Sequence, residues 1–254
     1  MAREMSRRGR VAAVLAWLAL ALALLTVGLL LGAPFGYRRG TFDLTTALFR
    51  MVPAGLLTGL AAIFVALVRS FVGWRLKTQR GLWLGRAALI IALAAVAFPL
   101  SQLQKGARLP RIHDITTDTA DPPNFAAIAP LRADAPNSDI YGGTALAARQ
   151  AVAYPDIVPI ILAVPPATAF EKAMAAAKAL GWQVVAAVPE AGRIEATDTT
   201  FWFQFKEDVV IRIRPETVAG GEGSRIDVRS LSRLGDADLG SNAARIRAFR
   251  ARLG

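Results

Sequence analysis

The chain has 254 residues, no cysteine and a formal net charge of +11. A sequence without cysteine has no disulfides, thiolate metal sites or cysteine nucleophiles. The charge is uneven. Residues 1–100 hold 12 Lys and Arg against 2 Asp and Glu, a net of +10, whereas residues 101–254 hold 18 against 17, a net of +1. The second part has no basic surplus to neutralise phosphates, so the composition argues against nucleic-acid binding.

Three stretches without a charged residue, 11–37, 51–68 and 87–104, dominate the first part of the chain. Each approaches or exceeds the roughly 20 helical residues that cross a hydrocarbon core. They predict a membrane domain over 1–104, with three transmembrane α-helices at about 11–32, 48–68 and 82–101. Cleavage of the first stretch as a signal peptide is the alternative. We expect a retained helix because the apolar run is long and two more follow.

Positive charge beside the predicted spans indicates how they are oriented. One side of the membrane carries nine basic residues: Arg3, Arg7, Arg8, Arg10, Arg69, Arg75, Lys77, Arg80 and Arg86. The other side carries six: Arg38, Arg39, Arg50, Lys105, Arg108 and Arg111. Lys and Arg accumulate on the cytoplasmic side, so the N-terminus is expected in the cytoplasm and the C-terminal domain outside it. The predicted location is a bacterial inner membrane, with the C-terminal domain in the periplasm.

Residues 105–165 read as an extended, Pro-rich arm or linker. Pro122, Pro123, Pro130, Pro136, Pro155 and Pro159 exclude long helices there. A purely disordered linker would lack the apolar residues of this stretch. Those residues are Phe125, Ile128, Leu131, Tyr141 and Ile157. They favour an arm that is partly docked on the domain that follows.

Residues 166–254 have the pattern of a soluble α+β domain. Helical spacing predicts a helix over 166–180, ending at Gly181, and a second after Ser241 or Asn242. Between them, alternation predicts an antiparallel sheet of four to five short strands, covered by the two helices. Phe201, Phe203 and Phe205 are expected on the buried face of one strand, and residues 206–208 are expected to form a turn. The other predicted core residues are Ile211, Ile213, Ile226, Val228, Ile246 and Phe249.

Several runs resemble a known bacterial family. They are GRIEATDTTFWF at 192–203, DVVIRIR at 208–214, SRIDVRS at 224–230 and DLGSNAARI at 238–246. The chain is similar to the domain of unknown function 1499 family. The runs IHDITTD at 112–118 and YPDI at 154–157 resemble the membrane-anchored branch of that family. This resemblance implies an envelope location and supplies no activity or catalytic residue. A looser similarity to helix-grip domains of envelope assembly lipoproteins implies a binding module.

Alternating arginines on one predicted sheet face form the main candidate site. Arg212, Arg214, Arg225 and Arg229 would lie on one surface of two paired strands. Arginine binds phosphate and carboxylate well, so an anionic lipid head group or an acidic envelope protein is one candidate partner. Only Glu195 and Asp227 are expected nearby to neutralise these arginines, which would leave an excess of about two positive charges to attract such a partner. The alternative is that the arginines form a cross-strand, salt-bridged surface with Glu195 and Asp227. Trp202, opposite the phenylalanines, is a second candidate binding residue, or it packs beneath the arm.

The one histidine, His113, lies beside Asp114 and near Asp118. From Asp114 the sequence runs Asp-x-Thr-x-Asp, as in a calcium loop, but Thr119 replaces the required Gly and Phe125 the required Glu. No metal or other cofactor is therefore expected, and a cation site at His113, Asp114 and Asp118 is the weaker alternative.

The sequence predicts an inner-membrane protein that presents a periplasmic binding or scaffolding domain, without catalysis. One alternative is a cell-envelope enzyme that uses the acidic segment around His113 and Asp114. The other is an accessory subunit that joins a membrane complex through its spans, for which Gly55 and Gly59 supply one small-residue pair.

Overall fold

The structure is a computed structural model that describes residues 2–219 and 221–254. The chain forms two compact units, Met1–Gln104 and Lys105–Gly254. The α-helices are α1 (Ala2–Arg38), α2 (Val52–Arg75), α3 (Leu82–Arg108), α4 (Gly143–Ala153), α5 (Pro166–Ala179) and α6 (Ser241–Arg250). The strands are β1 (Asp114–Thr116), β2 (Ile160–Leu162), β3 (Gln183–Val188), β4 (Arg193–Thr199), β5 (Lys206–Val218) and β6 (Gly221–Ser232).

The first unit contains three helical segments that are long and apolar enough to cross a membrane. They are Gly9–Arg38, Thr46–Arg75 and Leu82–Arg108, and an 18-residue stretch within each has a mean hydropathy of 2.7, 2.3 and 1.9, respectively. A π-helical turn, Thr46–Met51, leads into α2. The sequence prediction of three long apolar helices is confirmed.

Small residues line the contact between these helices. The buried cluster is formed by Ala19 and Ala23 of α1, Ala62 and Ala66 of α2, and Ala88 and Ala92 of α3. Small side chains let helix backbones approach closely where apolar burial gives no driving force. Gly55 and Gly59 belong to the same contact, because an added Cβ would lie 2.7 Å from Leu30 and 2.3 Å from Val96. This glycine pair therefore packs the three helices together.

The second unit is built on one six-stranded antiparallel sheet. The strand order is β1-β6-β5-β4-β3, and β2 pairs with β6 further along the edge that β1 occupies. The long hairpin of β5 and β6 forms the centre of this sheet. The predicted α+β fold with an antiparallel sheet is confirmed. The sheet exceeds the expected four to five strands because residues 105–165 contribute β1 and β2.

Alternation along the strands gives the sheet two chemically different faces. The helix face carries the apolar core, which α5 and α6 cover. Its central side chains are Ile194, Ala196, Val209, Ile211, Ile213, Ile226 and Val228, with Phe170, Ala173, Ile246 and Phe249 from the helices. The opposite face, the arm face, carries charged residues and a small apolar cluster of Phe125, Ile128, Val210 and Leu231. Residues 117–141 cover this arm face.

Residues 105–165 belong to the same compact unit as the sheet. Besides β1 and β2, this segment supplies α4, whose Gln150 side chain bonds both the N–H and the carbonyl of Thr116 at 3.0 and 2.6 Å. Several of its apolar residues are buried in the cores, as with Ile128 and Ile157, which are 0% and 5% exposed, whereas Leu131 is 56% exposed. The arm is thus an integral layer of the folded unit.

The sequence placed one turn wrongly. Residues 206–208 are the first residues of β5, and residues 200–205 form the connection between β4 and β5. The prediction that Phe201, Phe203 and Phe205 belong to the core is therefore wrong. Phe201 is 79% exposed, and the other two are only partly buried. The polar residues after them enter the strand because Glu207 and Asp208 find buried partners.

Candidate functional site

Three of the four candidate arginines meet on the arm face of the sheet. Arg212 and Arg214 of β5 and Arg225 of β6 surround the Asp227 carboxylate, with nitrogen–oxygen distances of 3.0, 2.7 and 2.9 Å. The register explains the grouping, since Arg212 lies opposite Asp227 and Arg214 opposite Arg225. We call Arg212, Arg214, Arg225 and Asp227, with the two aspartates described next, the arginine cluster.

The arm supplies the remaining carboxylates of this cluster. Asp118 contacts all three guanidinium groups at 2.7–3.3 Å, and Asp121 contacts Arg212 and Arg214 at 3.0 and 3.3 Å. Burial on its own would raise the pKa of Asp118. The N–H groups of Asp121 and Ala120 and the nearby guanidinium charges outweigh burial and lower this pKa. The carboxylate is thus held in its charged form.

The expected excess of about two positive charges on this surface is wrong. Three arginines face three aspartates, and two of these come from about 90 to 110 residues earlier in the chain. An anionic partner at these arginines would have to displace carboxylates that already bind them. The ion pairs of this cluster therefore hold the arm on the sheet.

Arg229 lies apart from the cluster and is completely buried. Its guanidinium group binds the Asp114 carboxylate at 2.9 and 2.8 Å. It also donates to the carbonyls of Pro123 and Asp139. The group lies 5.4 and 5.6 Å from the ring centres of Phe125 and Tyr141. Burial, together with the Asp114 charge, raises the pKa of Tyr141 to about 12. Arg229 is enclosed by the arm and is not presented to a ligand.

Two buried carboxylates on the same face went unrecognised in the sequence as arm contacts. Glu195 accepts the successive backbone N–H groups of residues 126–128 at 2.8–3.1 Å, an arrangement that suits an anion. Asp208 accepts from Arg132 at 2.6 Å, Arg233 at 2.7 Å and Thr197 at 2.8 Å. The sequence carries no local signal for these contacts, because alternation with Ile194 and Ala196 places Glu195 on the polar face and Asp208 falls in a run that is typical of a turn.

The helix face contains a buried carboxyl group with a perturbed pKa. Glu207 is 4% exposed, and its carboxylate accepts from the Ser232 hydroxyl at 2.6 Å. Arg245 lies 3.8 Å from it. Burial raises the pKa of Glu207 to about 7, and the charges of Asp238 and Asp198 act in the same direction, while Arg245 and Ser232 oppose them.

This pKa predicts how stability depends on pH. The ordinary pKa is 4.5, so from about pH 4.5 to about pH 7 the folded unit keeps a proton that the unfolded chain releases. The free energy of unfolding should therefore fall as pH rises through this window. In Glu207→Gln the side chain cannot ionise, and the fall should largely disappear. Urea unfolding of the fragment 105–254 at a series of pH values measures this fall in the free energy of unfolding.

A matched control for this series is Glu222→Gln, at an exposed position, which should keep the wild-type slope. The aspartates with lowered pKa values, Asp118 and Asp156, release their stabilisation below their ordinary value of 3.8, outside the window. Equal slopes in wild type and Glu207→Gln would refute the assignment.

Trp202 lies in the connection between β4 and β5, away from the arginine cluster. We call residues 200–205 the aromatic turn. Trp202 is 39% exposed and contacts Phe201 edge to face, with ring centres 5.2 Å apart. Phe203 and Phe205 stack on each other at 5.3 Å. The two candidate binding features of the sequence are therefore separate in space.

His113 and Asp114 line a cleft of about 470 Å³, together with Arg111, Arg149 and Asp236. Asp114 is bound to Arg229, and Asp118 belongs to the arginine cluster. Over residues 2–219 and 221–254, no group of three or more His, Cys, Asp or Glu residues is placed to hold a metal ion. The two carboxylates of the alternative cation site therefore bind different arginines.

Comparison with known families matches residues 114–253, more than half of the chain, to the family described as Protein of unknown function (DUF1499). Searches of curated proteins and of solved structures each found no match. The matched range begins with the first residue of β1. It therefore includes both sides of the arginine cluster, the arm carboxylates and the sheet arginines.

Proposed function

The chain belongs to the DUF1499 family, and we propose that it is a multi-pass protein of the bacterial inner membrane with a periplasmic binding or scaffolding domain. The observation that carries this proposal is the short connection between the two parts of the chain. Helix α3 ends at Arg108 and β1 begins at Asp114. Five intervening residues reach at most about 17 Å. A domain on so short a tether stays beside the bilayer, where its partners are envelope components.

The charge distribution supports the periplasmic side. Nine Lys and Arg residues lie in the N-terminal tail or near the connection between α2 and α3, and six lie near the span ends on the other side of the membrane. The positive-inside rule assigns the larger number to the cytoplasm. With three spans, the N-terminus and the C-terminal domain then lie on opposite sides.

The use of the charged side chains favours binding or scaffolding over catalysis. The arginine cluster and the Asp114–Arg229 pair hold the arm on the sheet. Groups bound in this way are not poised to exchange protons with a substrate. They make a stable platform whose exposed surface is available for contacts with the bilayer or an envelope protein.

A cell-envelope enzyme is the second candidate, and one observation favours it. His113 and Asp114 line the same cleft, which is the concave arrangement that an enzyme requires. The binding of Asp114 to Arg229 argues against a catalytic role for that carboxylate. The accessory-subunit alternative has less support, because Gly55 and Gly59 pack inside the unit's own helices.

The proposed topology predicts that a reporter enzyme active only in the periplasm, fused after Gly254, is active. A reporter that is fluorescent only in the cytoplasm should be dark at the same position. The physical reason is the nine-to-six distribution of basic residues. As a matched control, the same pair of reporters after Leu76, in the connection between α2 and α3, should give the opposite pattern. Cytoplasmic signal from the Gly254 fusion would refute the proposal.

A further inference from the structure

The aromatic turn is an ordered structure that presents apolar surface. Thr200 closes its base, since its hydroxyl accepts the Phe205 N–H at 2.8 Å and its carbonyl accepts the Gln204 N–H at 3.0 Å. At the tip, Phe201 is 79% and Trp202 39% exposed. Contiguous apolar surface that stays exposed is typical of protein–protein and membrane interaction sites. Tryptophan and other aromatic rings are favoured at the level of lipid head groups.

The turn lies at the end of the sheet where the chain arrives from α3. The carbonyl of His113, just before β1, accepts the N–H of Ser232 at 3.0 Å. Ser232 pairs with Glu207, next to Lys206 at the base of the turn. Three strand spacings, from β1 through β6 and β5 to β4, amount to about 14 Å. The point where the chain enters the domain and the aromatic turn therefore lie at the same end of the sheet.

The opposite end of the sheet lies far from the point where the chain enters the domain. Ile161 of β2 pairs with Arg225, which pairs with Arg214 of β5. Arg214 is eight residues beyond Lys206, about 26 Å along the strand. Of the two ends, the one with the aromatic turn is tied by the short tether to the membrane helix.

We propose that the aromatic turn inserts into the head-group region of the bilayer and so fixes the domain on the membrane surface. This inference rests on the proposed membrane location but not on which side of the membrane the domain occupies. The exposed Lys206 at the base of the turn can extend towards lipid phosphates while its aliphatic stem follows the apolar tip. The partner is thus a lipid surface, recognised by aromatic insertion.

Membrane contact through the aromatic turn differs from the anion binding that the sequence predicts for the sheet arginines. Aromatic insertion depends on apolar burial, so it should persist in zwitterionic lipid and at high salt. Binding by arginines would require anionic lipid and weaken with salt. The two mechanisms therefore separate experimentally.

The test uses the full-length chain, whose lack of cysteine allows labelling at a single introduced site. Phe201→Cys and, as a matched control, Ile161→Cys are each labelled with an environment-sensitive fluorophore; Ile161 is also exposed, at 50%. Both proteins are reconstituted in vesicles of phosphatidylcholine alone and of phosphatidylethanolamine with phosphatidylglycerol. Quenching by nitroxide-bearing lipid and by aqueous iodide is then compared. Unchanged thermal unfolding confirms that each variant is folded.

We expect the label at position 201 to emit at shorter wavelength, to be quenched by the lipid nitroxide and to be protected from iodide, in both lipids. The label at position 161 should show the reverse. Iodide quenching at 201, protection from both quenchers, or equal lipid quenching at the two positions would each overturn the proposal. These readouts do not depend on orientation, so failure of the topology experiment and failure of this one remain distinguishable.

Discussion

Replacing Arg229 with methionine is expected to destabilise the C-terminal unit by about 3–5 kcal/mol. The reason is that methionine leaves the Asp114 carboxylate buried without its counter-ion, since Asp114 is 3% and Arg229 0% exposed. The substitution also removes donors to the carbonyls of Pro123 and Asp139. Urea unfolding of the fragment 105–254 measures the change, and a loss under about 1 kcal/mol would contradict it.

The matched control is Arg111→Met, which breaks the Arg111–Asp236 pair at the same kind of distance, 2.9 Å. Its side chains are 76% and 81% exposed, so this variant should lose at most about 1 kcal/mol. A second comparison isolates the buried charge. Adding Asp114→Asn to Arg229→Met removes the unpaired carboxylate, and part of the lost stability should return.

Patterns along the chain predicted much of this fold because they depend on neighbouring residues. The three apolar runs identify helices whatever their partners are. Alternation similarly predicted an antiparallel sheet between the two helices, and it correctly assigned Ile211, Ile213 and Val228 to one buried face. Helical spacing located α5 and α6 to within a few residues of their observed ends.

The arginine cluster could not be predicted because its members are brought together by tertiary structure. Asp118 and Arg225 are 107 residues apart in sequence. Nothing in a stretch of Asp, Thr and Pro indicates that it will cover a sheet. The sequence therefore predicted the arginines as a surface but missed the arm carboxylates that neutralise them.

The misplaced turn has a similar cause. Alternating aromatic residues from Phe201 to Phe205 are typical of a strand, and a Lys-Glu-Asp run is typical of a turn. In the folded unit Glu207 binds Ser232 and Asp208 binds Arg132. These distant partners allow the charged residues to enter the strand, which displaces the turn to the aromatic residues.

Removing the arm should abolish folding of the remainder. A fragment 166–254 lacks β1 and β2, and it leaves Glu195, Asp208 and Arg229 without the arm groups that bind them. It also loses buried apolar side chains from the core. These are Ile112, Ile115, Phe125, Ile128, Tyr154, Ile157 and Ile160. The remaining residues keep the two helices α5 and α6 but expose one whole face and one edge of the sheet.

The central claim, that residues 105–165 are a structural layer of the C-terminal domain, is tested most directly by comparing two fragments. Thermal unfolding of 105–254 and of 166–254 is followed by circular dichroism and by calorimetry. We predict one cooperative transition for 105–254, with calorimetric and van't Hoff enthalpies that agree, and no cooperative transition for 166–254. A cooperative transition of 166–254 would contradict this account.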